Sequence, residues 1–284
     1  ANNENTAHLD FNYGTSKFAA ATSISINSFG DLKMGSHGPD EYLRNQYVDR
    51  RNGQDVMVDT NNPEKQIPTG YDQINLLQKF RYKLNQSWEF DLGLIYTATG
   101  NYSRYDVLTR FNDTGDPRFA QWYYGPQKWF MANAKAIHRG NGKWYDKMIF
   151  SQSYQKFEES RNNRSFQEAK LFQSKEQVDV HTTSIDFERR NRENNVLFYG
   201  AEFLDNRVGS IGSVFDIDLE EREAAASRYP DGSSWRSLAA YANYQWRLNR
   251  KLTIQSGLRY NHIWLDAQFR DQFFNFPFEE VHLS

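Results

Sequence analysis

Cysteine is absent from the 284-residue sequence. That excludes a disulfide framework, a zinc–thiolate site and a thiol nucleophile. A charge excess is also missing: 34 Lys and Arg stand against 36 Asp and Glu, a net −2. Nucleic-acid binders carry a basic excess, so nucleic acid is not an expected partner. No run of about 18 apolar residues occurs, which excludes a transmembrane helix. The opening ANNENTAHLD has neither a basic stretch nor an apolar core, and no signal peptide is read in it. Enzyme signatures are lacking too. His8, His37, His138, His181, His262 and His282 show no metal-ligand spacing. No GxSxG, P-loop or dinucleotide fingerprint appears. The expectation is a protein without catalytic residues, resident metal or cofactor.

What the chain does have is aromatic rings. Mean hydropathy is only −0.85, low enough for disorder, yet 16% of residues are Phe, Tyr or Trp. Disordered chains are poor in aromatics, so this one folds. A hydrophilic average with many aromatics fits strands in which alternate residues are apolar, as in an outer-membrane β-barrel. It fits a soluble or surface carbohydrate-binding β protein equally well.

Period-2 alternation marks about ten strands. The clearest is Trp88–Thr99: Trp88, Phe90, Leu92, Leu94, Tyr96 and Ala98 share one face, while Glu89, Asp91, Gly93, Ile95, Thr97 and Thr99 share the other. Successive side chains of a strand point to opposite faces, so one face is greasy and the other wet. Similar patterns lie at Ile74–Leu84, Lys128–His138, Leu197–Phe203, Leu238–Leu248 and Leu252–Tyr260. In Val178–Phe187 the apolar phase switches between Val180 and Ile185, as a bulge would make it do.

Short polar turns are expected at Gly14–Lys17, Asn85–Ser87, Arg139–Lys143, Arg190–Asn194 and Asn249–Lys251, with long loops at roughly 30–70, 100–127, 158–175 and 207–234. Short and long alternate. In an up-and-down antiparallel sheet this puts all short turns at one end, the asymmetry of outer-membrane barrels with short periplasmic turns and long outer loops. The turn at Asn85–Ser87 sets Lys83 against Glu89 and Arg81 against Asp91 on the wet face, with Phe80 against Leu92 and Tyr82 against Phe90 on the greasy one. Around Asn249–Lys251, Trp246 faces Ile254 and Ala240 faces Tyr260 outside, leaving Asn243, Gln245, Gln255 and Arg259 inside. Arg81, Lys83, Glu89 and Asp91 would then form a charge ladder in a wet lumen, where ions escape the cost of a dry core. Trp88, Trp144, Tyr82 and Trp246 sit beside short turns, where an interfacial aromatic girdle belongs. No linker divides the chain, and residues 1–284 read as one domain.

Strings along most of the chain resemble one family. They are GPDEYLR (38–44), PTGYDQINLLQKFRY (68–82), YTATGNYSRYD (96–106), QWYYGPQKW (121–129), LFYGAEFLDNRVGS (197–210), RYPDGSSW (228–235) and YQWRLNRKLTIQSGLRYNH (244–262). In order and spacing they resemble TonB-dependent outer-membrane receptors, especially those of Bacteroidetes-type bacteria. The resemblance implies a barrel of about 22 strands with a plugged lumen. It also implies a place in the outer membrane of a Gram-negative bacterium, in contact with lipid. The implied work is uptake of a scarce ligand (iron-siderophore, haem, cobalamin or glycan), driven by TonB through the plug region of the intact receptor. On that pattern the chain reads as a middle section of the barrel, with plug and terminal strands lacking.

Recognition chemistry concentrates in the long loops. Tyr102, Arg104, Tyr105, Arg110, Trp122, Tyr123 and Tyr124 combine ring faces with guanidinium forks in 100–127, and Arg suits carboxylate or phosphate. The same residue types recur as Tyr42 and Arg44 in the loop 30–70, and as Arg161 and Arg164 in ESRNNRS. His37, in MGSHGPDEY, is the one histidine placed to meet a haem or metal-bearing ligand from a loop. Packing between loops is the competing role for the 100–127 residues, and for His37 it is that of a solvent-exposed polar residue. The acidic run Asp216–Glu223, followed by Ala224–Ala226, reads as a short exposed helix in preference to a calcium loop, because an EF-hand's spacing is absent. A barrel hydrolase, the enzymatic alternative, would show a carboxylate–His pair at the rim.

Overall fold

The computed structural model describes residues 3–140, 142–191, 195–269, 273, 277 and 279–283. One large sheet dominates it. Along that sheet run β1 (Glu4–Gly14), β2 (Phe18–Phe29), β3 (Tyr71–Lys83), β4 (Trp88–Thr99), β5 (Lys128–Arg139) and β6 (Lys147–Ser165). They are followed by β7 (Lys170–Arg190), β8 (Val196–Asp216), β9 (Ser234–Arg247), β10 (Thr253–Gln268) and the short β11 (Glu280–Leu283). Each strand pairs antiparallel with the next, so the topology is up-and-down throughout. Among the described residues no helix is long and apolar enough to cross a membrane, which says nothing of crossing by strands.

Both expected hairpin registers are observed: Lys83↔Glu89, Arg81↔Asp91, Tyr82↔Phe90 in one, and Trp246↔Ile254, Ala240↔Tyr260 in the other. The turns explain why. Asn85 Oδ1 accepts from the backbone N–H groups of Ser87 and Trp88, both at 2.8 Å. Asn249 Oδ1 accepts from Lys251 at 2.8 Å and Leu252 at 2.9 Å in the same way. An Asn side chain that mimics a backbone turn fixes loop length, and loop length fixes register. The turn Arg139–Lys143 includes Asn141, and Arg190–Asn194 includes residues 192–194; those positions lie outside the described residues.

Register carries the two-faced pattern across the whole sheet. One row runs Phe18, Tyr82, Phe90, Ala136, Phe150, Ile185, Ala201, Ala240, Tyr260 without a polar side chain. One residue along, on the opposite face, the row is Arg81, Asp91, Lys135, Ser151, Ser184, Glu202, Ala239, Asn261. The apolar face is open: Phe90 is 39% exposed, Tyr260 67% and Leu258 81%. Polar side chains set within it bond to each other. Thr22 Oγ1 donates to Gln78 Oε1, and Thr183 Oγ1 to Gln152 Oε1, each at 2.6 Å. Such pairing is what an apolar solvent demands of a polar group.

Two expectations need correction, and one phase switch has its explanation. Residues 158–175 are not a loop but the upper parts of β6 and β7, closed by a turn at 166–169 and paired in unbroken register. The 207–234 stretch begins with the upper part of β8, and Asp216–Glu223 spans a turn and the start of strand Glu221–Ala225, which folds back on β8; it is no helix. No bulge interrupts Val178–Phe187. The phase switch has another cause. The face that is apolar at Ile185 and Phe187 turns polar above, at His181 and Asp179, whose cross-strand neighbours are Tyr154 and Lys156. Val178 and Val180 belong to the other face.

The three tallest strands keep partners to their tips. Above β5, strand Phe119–Tyr124 takes over the edge of β6, pairing Tyr124 with Arg161 and Phe119 with Ser165. Strand Glu221–Ala225 does the same for β8. In the loop 30–70, Gln46–Arg51 and Gln54–Asp59 form a hairpin of their own.

Candidate functional site

The site is built where the polar face continues above the last apolar rows. Tyr124 and Trp122 lie opposite Arg161 and Asn163 of β6, and Tyr102 lies opposite Tyr124 on the other side. Period-2 geometry therefore turns Tyr102, Trp122, Tyr124 and Arg161 to the same face. Arg104 follows Tyr102 by two residues and joins them.

Their contacts form one unit. The guanidinium carbons of Arg104 and Arg161 lie 5.1 and 5.5 Å from the Trp122 ring centre, and Arg161 also lies 5.2 Å from the Tyr124 ring. Trp122 meets Tyr124 edge-on at 4.9 Å. The Tyr124 hydroxyl accepts from Arg161 Nη2 at 3.1 Å and from Arg104 Nη1 at 3.4 Å. Asp106 clamps the Arg104 fork at 2.7 and 2.6 Å, and these bonds and that to Tyr124 raise the guanidinium pKa. Rings continue from Tyr124 through Tyr102 and Tyr71 to Phe29, at 5.7, 5.9 and 4.9 Å. Burial raises the Tyr102 hydroxyl pKa, and the Glu159 charge adds to that. The arrangement offers flat π-faces edged by fixed positive charge, chemistry suited to planar or anionic ligand groups.

Other expected site residues go elsewhere. Tyr105 and Tyr123 are half-buried, and burial raises both phenol pKa values. Tyr105 and Arg44 line a cavity of about 40 Å³ with Ile67, Pro68, Leu108 and Phe119, where the loops 30–70 and 100–127 meet. Arg44 Nη1 bonds the carbonyls of Glu41 at 2.7 Å and Leu43 at 3.0 Å. Arg110 turns back onto Asp106. Tyr42 is exposed, and the exposed His37 ring contacts Ser36 Oγ at 3.1 Å.

Arg164 is a clasp. Its side chain is 1% exposed and grips the fully buried Asp55 carboxylate with two bonds of 2.7 Å. Gln167 adds a backbone donor to Asp55 at 2.8 Å and a side-chain donor to its carbonyl at 2.6 Å. Arg50 bridges the same hairpin to Asp218 at 2.5 Å. Three loops, at 46–59, 166–169 and 217–220, are thereby tied together.

In the ladder, Arg81 meets Asp91 through two bonds, 2.7 and 2.9 Å. Lys83 stands opposite Glu89 in register, but Glu89 receives Arg81 at 3.3 Å and Arg139 at 3.4 Å. Arg139 was not foreseen; its place beside a turn hides it among turn residues. Glu159, Glu176 and Arg228 also escaped sequence reading.

Carboxylate–His contacts at His282 and His8 bear on the hydrolase alternative. His282 bonds Asp266, which Arg236 and Ser234 also hold, so the acid is already committed to an ion network. His8 lies between Ser25 Oγ at 2.6 Å and Asp10 at 2.8 Å. That chain lies on paired strands, with the β2 backbone committed to ladders on both sides. Among the described residues no three His, Asp or Glu side chains converge on a metal position.

No family model and no curated protein matches the sequence. Solved structures do. A structure titled as the copper transporter OprC superposes over 93% of this chain with a TM-score of 0.65 at 10% identity. A mutant of the ferric enterobactin receptor PfeA from Pseudomonas aeruginosa superposes over 94% with 0.54 at 11%. The chain spans 36% and 39% of their lengths. Shared at such identity is the fold, a wall of up-and-down antiparallel strands.

Proposed function

We propose that this chain is barrel wall from an outer-membrane receptor that binds a small ligand at its outer mouth and admits it to the cell. One observation carries the reading. A single sheet presents an open, row-by-row apolar face and, one residue along, a charged one. A soluble β protein would bury the first face under a second layer; lipid is the solvent that suits it as it stands. The charged face then borders a wet lumen, with Arg81–Asp91 and Arg139–Glu89 as its ladder. The ring-and-guanidinium cluster of Tyr102, Arg104, Trp122, Tyr124 and Arg161 lies above it, at the mouth.

The names of the solved neighbours, a copper transporter and a ferric enterobactin receptor, point to metal-bearing cargo, alongside haem, cobalamin and glycan. TonB would supply the energy through the plug region of the intact receptor. The test uses the intact protein in detergent and tryptophan fluorescence with a ferric catecholate, haem, cobalamin and an oligosaccharide. Saturable quenching by one probe, lost in Trp122→Ala and weakened at least tenfold in Arg161→Ala, is the expected result. Equal quenching in wild type and both variants refutes the assigned mouth. Recovery of the intact protein in a soluble fraction refutes the membrane reading.

A further inference from the structure

Directly beside the aromatic cluster the polar face carries two like charges side by side. Glu159 of β6 is the register partner of Glu176 of β7, whose partner on β8 is Ser210. Directly opposed residues on one face hold their Cβ atoms about 5 Å apart. Glu176 is only 5% exposed, and neither of its carboxylate oxygens has a hydrogen-bond partner. A buried, unpaired carboxylate is among the costliest arrangements a fold can hold. Burial, with the Glu159 charge, raises its pKa against the opposing charges of Arg228 and Arg161.

The cations nearby relieve it only in part. Arg228 reaches Glu159 only at 3.9 Å, and its guanidinium carbon lies 5.1 Å from the Tyr229 ring centre. Arg161 bonds Tyr124 through Nη2 and lies over Trp122, and its buried Nε has no partner. On the far side Gln127 Nε2 donates to one Glu159 oxygen at 3.1 Å. The Ser210 hydroxyl accepts from the Tyr229 backbone N–H at 3.1 Å, which leaves it a lone pair.

We propose that Glu159 and Glu176, with the Ser210 hydroxyl beside them, bind one hard divalent cation of the calcium class. Oxygen-only donors and two negative charges match that class, and water completes a shell of six to eight ligands. The set contains no nitrogen or sulfur donor, which sets it apart from a site for a soft transition metal. This site is distinct from the ring-and-guanidinium surface, and it does not depend on the uptake reading.

Terbium, a calcium surrogate whose emission is sensitised by nearby Tyr and Trp, is the probe. With the intact protein in detergent at neutral pH, saturable emission displaced by calcium is expected. Emission should fall at least tenfold in Glu176→Gln and in Glu159→Gln, and stay unchanged in Asp218→Asn. Near-isosteric Gln keeps the fold, which the heat-modifiable gel shift verifies. Emission that persists in Glu176→Gln overturns the proposal. So does wild-type protein that binds no terbium while Glu176 merely titrates, the behaviour of a shared proton. Ligand quenching at Trp122 that survives either result leaves the receptor reading standing.

Discussion

Replacing Asp55 by Ala tests the clasp that joins three outer loops. The side chains of Asp55 and Arg164 are 0% and 1% exposed, so water does not screen their pair. Removing one partner leaves the guanidinium buried with its charge unanswered, at a cost of about 3–5 kcal/mol. The strand ladders below do not share that cost, so it falls on docking of the hairpin 46–59. Its open population should rise by roughly two to three and a half orders of magnitude, since each 1.4 kcal/mol is tenfold. Hydrogen exchange at Gln54–Asp59 reads this directly, and limited proteolysis at Asn52–Gly53 reads it independently. Exchange in β3 and β4 should not change. A double variant, Asp55→Ala with Arg164→Met, should recover much of the loss, because no lone charge then remains. Exchange at 46–59 that matches wild type in Asp55→Ala would refute the clasp.

Acid offers a second handle on the same pair. Burial alone would raise the Asp55 pKa, but bonds from Arg164 and the Gln167 N–H outweigh it and hold the carboxyl below its ordinary value. A lowered folded pKa gives stability that is complete above about pH 4 and is lost as pH falls through the folded value. Proteolysis at the hairpin tip should therefore accelerate only in strong acid. Asn85→Ala removes two turn bonds and should destabilise the refolded barrel by about 1–2 kcal/mol in urea titration. Asn249→Ala should do the same at its own hairpin. Leu92→Arg, on the open apolar face, should cost about 2–4 kcal/mol in lipid vesicles. Asn133→Arg, on the charged face, should cost well under half of that; equal costs would refute the assignment of the two faces.

How much of this was legible beforehand follows from where the solvent changes. Between Trp88 and Ala98 one face of the strand is apolar and the other polar, so alternation in the sequence is strong and both hairpin registers could be read. Above Tyr154 the outward rows turn polar while the opposite face carries the apolar row Trp129, Phe157, Val178 and Val208, so the alternation of the lower rows is lost while the ladder continues. EESRNNRS looks like loop because nothing in its hydropathy distinguishes Glu159 and Arg161 on one face from Ser160 and Asn162 on the other. Continued pairing by Phe119–Tyr124 keeps it a strand, and that pairing is invisible to local reading. The Tyr102, Arg104, Trp122, Tyr124 and Arg161 group was legible as residue types. Its separation from Tyr105 and Tyr123 was not, because Tyr123 and Tyr124 differ only in which way a strand turns them. Asp55–Arg164 spans 109 residues, and no local pattern couples positions so far apart.

The height of β6, β7 and β8 gives the outer surface an unusual texture. These strands run 19, 21 and 21 residues, so roughly ten residues of each, about 33 Å at strand rise, stand clear of the apolar rows. Ladder bonds brace them on both flanks. On the proposed receptor reading, a ligand arriving from outside would meet a palisade of paired strands on this side of the molecule, with Trp122 on its inner flank.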